Sequence, residues 1–223
     1  MFGKSVRVYT FRMPTKLHTG KLHLGFIARA AREVARRQGL DGVTVRAVAA
    51  KLGVSPMALY RHIESTDDLR RAALNEALKQ VPSPGLEGPV SERLRSWALD
   101  ARGVVRRYPG LAEACLTEWV ALRHGCRIME LLLGVAADYS SDDAEQVAIA
   151  NAVFVYVLSR VAAERAVLAG GRRRTLPAVE GEPRRYPRLV RVQEEFMTIN
   201  VERHFAIGLD ALLFGLLRRE VVS

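Results

Sequence analysis

From Leu24 to Gln38 the apolar residues Ile27, Ala30, Ala31, Val34 and Ala35 fall at offsets of 0, 3, 4, 7 and 8. That spacing predicts a helix with one buried face, closed at Gly39 by a left-handed cap. Thr44 then reads as the cap of a short helix carrying Val45, Val48, Ala49 and Leu52 on its inner side and stopping at Gly53. A second short helix starts at Ser55, takes Pro56 in its first turn and runs to about His62. Ser65 or Thr66 caps a longer helix, with Asp67 and Asp68 at its positive end and Leu69, Ala72, Ala73 and Ala77 inside.

The stretch Val81-Pro-Ser-Pro-Gly-Leu-Glu-Gly-Pro89 breaks this pattern and marks a domain boundary. Beyond it, Ser91 is the predicted cap of a helix striped by Leu94, Trp97, Ala98, Ala101, Val104, Val105 and Tyr108 and stopped by Pro109. Leu111, Ala114, Cys115, Trp119 and Leu122 predict another, ending near Gly125, and Ile128, Met129, Leu132, Leu133 and Ala136 a third. A long helix begins at Ser140-Ser-Asp-Asp143 and reaches Leu168, roughly 40 Å at 1.5 Å per residue. Residues 170–188 are polar, aperiodic and proline-broken, which predicts a flexible loop. A last helical stretch, 189–219, puts Phe205, Leu209, Leu212, Leu213 and Leu216 on one face. No segment alternates with period two for long enough to suggest a sheet. The expected protein is all-α, with about nine or ten helices: a basic, flexible arm at 1–20, a three-helix head with its linking helix at 21–81, and a helical-bundle body at 90–223.

Charge sharpens this division. The 223 residues carry a net +10, but residues 1–82 hold 15 Lys+Arg against 6 Asp+Glu and residues 83–223 hold 19 against 18. A basic head of +9 on a body of +1 is the footprint of a polyanion binder. No run approaches the roughly 20 apolar residues of a membrane span, and the N-terminus lacks a secretory signal, so the expected location is the cytoplasm, with no membrane partner. Cys115 and Cys126 lack a CxxC pair or a histidine partner and read as small core residues.

The pair of helices at 44–52 and 55–62, joined by Leu52-Gly53-Val54, has the form of a helix-turn-helix whose second helix enters the major groove. Ala49, Leu52, Val54 and Leu59 are small or apolar where the helices meet, leaving Ser55, Met57, Ala58, Tyr60, Arg61 and His62 on or beside the outer face. Tyr60 and His62 can donate to phosphate oxygens, as can Lys51 and Arg46 with added charge; Arg46 could instead reach a guanine edge. The chain has no GxSxG, P-loop, strand-linked GxGxxG or HExxH, so no enzyme is expected. It offers no clustered metal ligands, no cofactor motif, no single long basic amphipathic helix for a membrane surface and no aromatic-rich sheet for RNA.

Residues 27–74, above all Gly39-Leu-Asp-Gly-Val-Thr-Val-Arg-Ala-Val-Ala-Ala-Lys-Leu-Gly-Val-Ser-Pro-Met-Ala-Leu-Tyr-Arg-His-Ile63, resemble the N-terminal domain of the tetracycline-repressor (TetR) family. The segment Phe205–Leu217 is similar to the closing helix of its tetracycline-repressor branch. The resemblance implies a repressor acting as a homodimer on a palindromic double-stranded DNA operator and released by a small-molecule inducer, here unidentified. It makes Thr44 a cap and phosphate contact, Arg46 a base reader, Ser55, Pro56, Met57 and Arg61 groove-facing, and Tyr60 and His62 phosphate contacts. Where many members have a lysine, this chain has Thr66 followed by Asp67 and Asp68, which implies a weaker clamp. Because Pro56, Met57 and Ala58 offer few hydrogen bonds, thymine-methyl contacts or shape readout are the alternatives.

The same resemblance places an inducer in the body, where Trp97, Trp119, His124, Met129, Tyr139, Asn151, Phe154 and Tyr156 are candidate contacts. Gly208 and Gly215 lie one heptad apart with Ala211 and Leu212 beside them, small residues that suit close approach of a partner helix in a four-helix dimer interface.

Overall fold

The computed structural model describes residues 23–169, 177–198 and 200–218. The arm expected at 1–20 and the start of the loop, 170–176, lie outside the described residues. Among the described residues every regular element is helical.

In the head, α1 (Leu24–Gln38) buries the five residues of its predicted stripe. Gly39 has positive φ, but at ψ 172 it is extended rather than left-handed, and a short 3₁₀ turn (Leu40–Gly42) follows. Thr44 caps α2 (Val45–Leu52), its Oγ1 accepting from the Ala47 N–H at 3.1 Å. Gly53 ends it in the left-handed region at φ 67, where a side chain would be strained. The next helix, α3 (Pro56–Leu59), is half the length expected from the sequence. Its backbone tightens after Leu59, where the His62 N–H donates to the Leu59 carbonyl three residues back, at 2.8 Å, and the chain turns. Ser65 starts α4 (Thr66–Leu78) with a reciprocal capping box: its Oγ accepts from Asp68 N–H and Asp68 Oδ2 accepts from Ser65 N–H.

The predicted boundary at 81–89 is pinned rather than loose. Trp97 Nε1 donates to the Pro82 carbonyl (3.2 Å), Arg127 donates to Val81 O and Ser83 Oγ, and Arg93 Nε donates to Gly85 O at 2.7 Å. Pro89, not Ser91, occupies the cap of α5 (Val90–Val105), its carbonyl receiving the Glu92 and Arg93 N–H groups. Buried apolar residues of head and body form one continuous cluster.

The next expected helix is divided. α6 (Leu111–Glu118) gives way to a 3₁₀ turn (Trp119–Ala121), and α7 (Arg123–Ala137) begins two residues before Gly125. Gly125 therefore does not end a helix; it lets α7 start hard against the Trp119 carbonyl, with which any Cβ would collide. Of the two cysteines Cys115 is buried as expected, but Cys126 is exposed. The long α8 (Asp143–Ala169) packs on α5, α6, α7 and, C-terminally, α12. Its stretch Asp143–Ala166 is long and apolar enough to cross a membrane by length and composition, which the sequence reading overlooked. In this fold Ile149, Ala150, Val153, Phe154, Val157, Leu158 and Val161 are buried in the body, while Val147 and Val155 of the same stretch stay exposed.

The last stretch is not one helix. α9 (Pro177–Gly181) lies within the segment expected as loop, and α10 (Pro187–Arg191) and α11 (Gln193–Met197) precede α12 (Val201–Leu216). Asn200 causes the restart: its side chain accepts the Arg203 N–H at 2.9 Å, the interaction that favours asparagine at a cap over a helix interior.

One charged group sits inside the body. The Arg102 guanidinium on α5, 5% exposed, donates to Glu164 on α8 through Nε (3.2 Å) and Nη2 (2.9 Å), donates to Glu202 on α12 through Nη1, and lies over the Phe205 ring at 4.4 Å. Arg106 Nη1 also reaches Glu202 at 2.6 Å. Burial disfavours the Arg102 charge, but the two carboxylates outweigh it and hold its pKa above the ordinary value; Arg102 and then Arg106 pull Glu202 below its own.

Candidate nucleic-acid interface

The two helices α2 and α3 present one exposed surface because their inner faces are consumed by the head core. Leu59 is the single buried residue of α3 and is fully enclosed. Its neighbours Pro56, Met57, Tyr60 and Arg61 are exposed, Met57 to 70% and Tyr60 to 50%. Met57, Tyr60 and Arg61 stand at i, i+3 and i+4 and so share a side. Thr44, Arg46, Lys51 and Ser55 are exposed on and around α2, while His62 and Thr66 are half-buried. The hydroxyls of Thr44 and Ser55 each accept a backbone N–H, which leaves their own protons free to donate outward. Beside Thr66, Asp68 turns into its capping box, and only Asp67 stays exposed, 3.6 Å from Arg70.

The head docks on the body at several points that sequence reasoning missed, because they join residues far apart in the chain. The Leu40 N–H, in the 3₁₀ turn, donates to the Pro109 carbonyl at 2.9 Å. Arg71 on α4 faces Glu118 on α6 at 3.9 Å. His124, a candidate ligand contact, lies in the first turn of α7 at this junction, its backbone N–H donating to Asn75 Oδ1 at 3.2 Å. Burial, with the cations Arg127, Arg123 and Lys79, holds its imidazole pKa below the ordinary range. Beside these contacts a cleft of about 370 Å³ remains open, lined by Leu40, Leu74 and Ala114 and by charges of both signs, Arg70, Arg71 and Arg165 with Asp41, Asp67, Glu113 and Glu118.

Of the eight candidate ligand contacts, Trp97 and Phe154 belong to the core cluster and Trp119, Met129, Tyr139 and Tyr156 pack against it. Trp97 is buried with its N–H on the linker; Trp119 and Phe154 pack edge to face at 5.7 Å; Tyr156 donates to the Phe205 carbonyl at 2.8 Å. Met129 and Tyr139 are half-buried, and Asn151 is exposed on the outside of α8. None of the eight lines the head–body cleft or the groove of about 380 Å³ between α5 and α12. Of the four candidate interface residues, Gly208 serves the chain itself: a Cβ there would strike the Tyr156 hydroxyl. Gly215 has open space around it; Ala211 is exposed and Leu212 half-buried. Ile207 and Phe214 on α12, and Val147 and Val155 on α8, also leave apolar surface exposed. Among the described residues no group of three or more His, Cys, Asp or Glu is placed to hold a metal ion.

Residues 27–73 match the model of bacterial regulatory proteins of the tetR family, and residues 82–219 match that of the tetracyclin repressor-like C-terminal domain. The HTH-type transcriptional repressor DrrR1 of Streptomyces coeruleorubidus is 25% identical over 221 residues, covering 93% of this chain and 82% of that protein. Among solved structures, Streptomyces coelicolor ActR in complex with (S)-DNPA superimposes with a TM-score of 0.72 at 22% identity, over 89% of this chain and 98% of that one. BioQ with its double-stranded DNA operator gives 0.64 at 22%, over 89% and 100%; BioQ is a Mycobacterium smegmatis protein. These structural likenesses show a shared fold. With the family models spanning head and body, the chain belongs to the tetR family and is a DNA-binding transcriptional regulator.

Proposed function

We propose that the protein is a ligand-responsive repressor that binds a palindromic operator as a homodimer. The observation that carries this reading is the exposed face of α2 and α3, held outward by the buried Leu59. On it Arg46 reads a base edge, while Thr44, Lys51, Tyr60 and His62 hold phosphates. Ser55, Pro56, Met57 and Arg61 face the groove, and Thr66 contributes a neutral hydroxyl beside the exposed Asp67. Arg46→Ala is expected to weaken operator binding by about 1–3 kcal/mol per half-site, and Tyr60→Phe by less. Both should leave thermal unfolding unchanged, since both residues are exposed. Gel-shift titration with a melting curve checks this; unaltered affinity removes these roles.

The operator bound by BioQ and the (S)-DNPA bound by ActR support DNA and a small molecule as partners. The body, 90–223, would hold the inducer, Trp119 and Phe154 being the candidate contacts that the fold brings together. A chain of this family acts on DNA, which supports work in the cytoplasm and no enzymatic role.

The dimer surface is the exposed side of α12, with Ala211, Leu212 and Gly215 and the partly exposed Gly208, which also packs on Tyr156, beside the exposed side of α8. A Cβ added at Gly215 meets nothing within 4 Å among the described residues, so Gly215→Leu is expected to leave the fold intact while breaking the dimer. Sedimentation velocity reads the outcome: a profile unchanged from wild type places the contact elsewhere.

A further inference from the structure

Among the described residues of the head the most exposed large apolar side chain is Met57, at 70%, in the second helix of the helix-turn-helix. Nothing in the fold needs it there: Leu59 supplies all the burial of α3, and the cap of that helix is made by Ser55. Its flanks are Pro56 and Ala58, neither of which carries a side-chain donor or acceptor. A thioether donates no hydrogen bond and accepts only weakly. In the major groove the base edges present hydrogen-bonding groups, and the one apolar group is the thymine C5-methyl. A base preference exerted through Met57 therefore has a single chemical route.

We infer that Met57 is a specificity-determining residue that reads the C5-methyl of one thymine in each half-site. The inference rests on the operator reading above. Arg46 discriminates by hydrogen bonds and fixed charge, whereas Met57 discriminates by contact with a methyl group. The preference at the Met57 position should accordingly be insensitive to salt, while total affinity falls steeply with it.

The test uses the full-length protein and a duplex selected by it from random sequence. Each thymine is replaced in turn by deoxyuridine, which removes only the methyl. One symmetric pair of positions is expected to lose about fourfold per half-site, the ratio given by one buried methyl at about 0.8 kcal/mol. Met57→Ala should show that loss on the thymine duplex and no further loss on the uracil duplex, with an unchanged melting curve because the side chain is exposed. Met57→Leu should restore the sensitivity to uracil. A 5-methylcytosine·guanine pair at that position should bind better than cytosine·guanine by the same factor, the methyl lying at the same place in the groove. Uracil tolerated at every position, or Met57→Ala keeping the full uracil effect, overturns the role of Met57 while leaving operator binding in place. Failure to select any duplex overturns operator binding itself and this inference with it.

Discussion

Replacing Arg102 by methionine is expected to lower the stability of the protein by about 3–5 kcal/mol, because it leaves a buried carboxylate without its main partner. Glu164 is 4% exposed, and Arg102 supplies both of its short hydrogen bonds; Arg106 Nε, at 3.5 Å, remains as a partial substitute. Chemical denaturation of Arg102→Met beside Arg102→Met/Glu164→Leu checks the cause. Apolar replacement of both charges should recover most of the loss, whereas equal destabilisation of the two variants assigns it to packing around Phe205. The effect also depends on pH. Glu202 is held below its ordinary 4.5 chiefly by Arg102, so its contribution is complete above that value and is lost as pH falls below it. The gap between wild type and Arg102→Met should therefore narrow below pH 4.5.

Leu59→Ala is expected to cost about 2–5 kcal/mol, and operator affinity with it. A helix of four residues has almost no stability of its own, and Leu59 alone ties α3 to the core formed by α1, α2 and α4. Unlike Arg46→Ala, this change should lower the melting temperature and DNA affinity together. Wild-type affinity in the variant at a temperature where it remains folded would mean that the turn, rather than Leu59, fixes the recognition helix.

The head was readable because its information is local. Thr44, Ser55 and Ser65 are caps, Gly53 is a turn, and the offsets from Ile27 to Ala35 define one face, all within a few residues. Helices failed to be legible where a competing local bond or a distant contact decided the ending. Asn200 restarts the chain inside an apolar stripe, and Gly125 is small because of the Trp119 carbonyl rather than to stop a helix. The spacing of Gly208 and Gly215 predicts that something approaches closely, and within the chain that holds for Gly208 alone of the two. It could not show that for Gly208 the visitor is Tyr156 of the same chain, 52 residues earlier. The surroundings of the candidate ligand contacts were the least legible part: Trp97, His124 and Tyr156 bond to the linker, the head–body junction and α12, partners far away in the sequence.

The two cysteines differ in chemical availability. Cys115 is fully enclosed, and burial pushes its thiol up to about 12, so it forms almost no thiolate at neutral pH and no reagent reaches it. Cys126 is exposed on α7 beside Arg127, the residue that grips the linker at Val81 and Ser83. An unaltered wild-type chain can therefore carry one maleimide fluorophore, at Cys126. Placed where the head is fastened to the body, that dye would report on the surroundings of this junction when operator DNA or a candidate ligand is added.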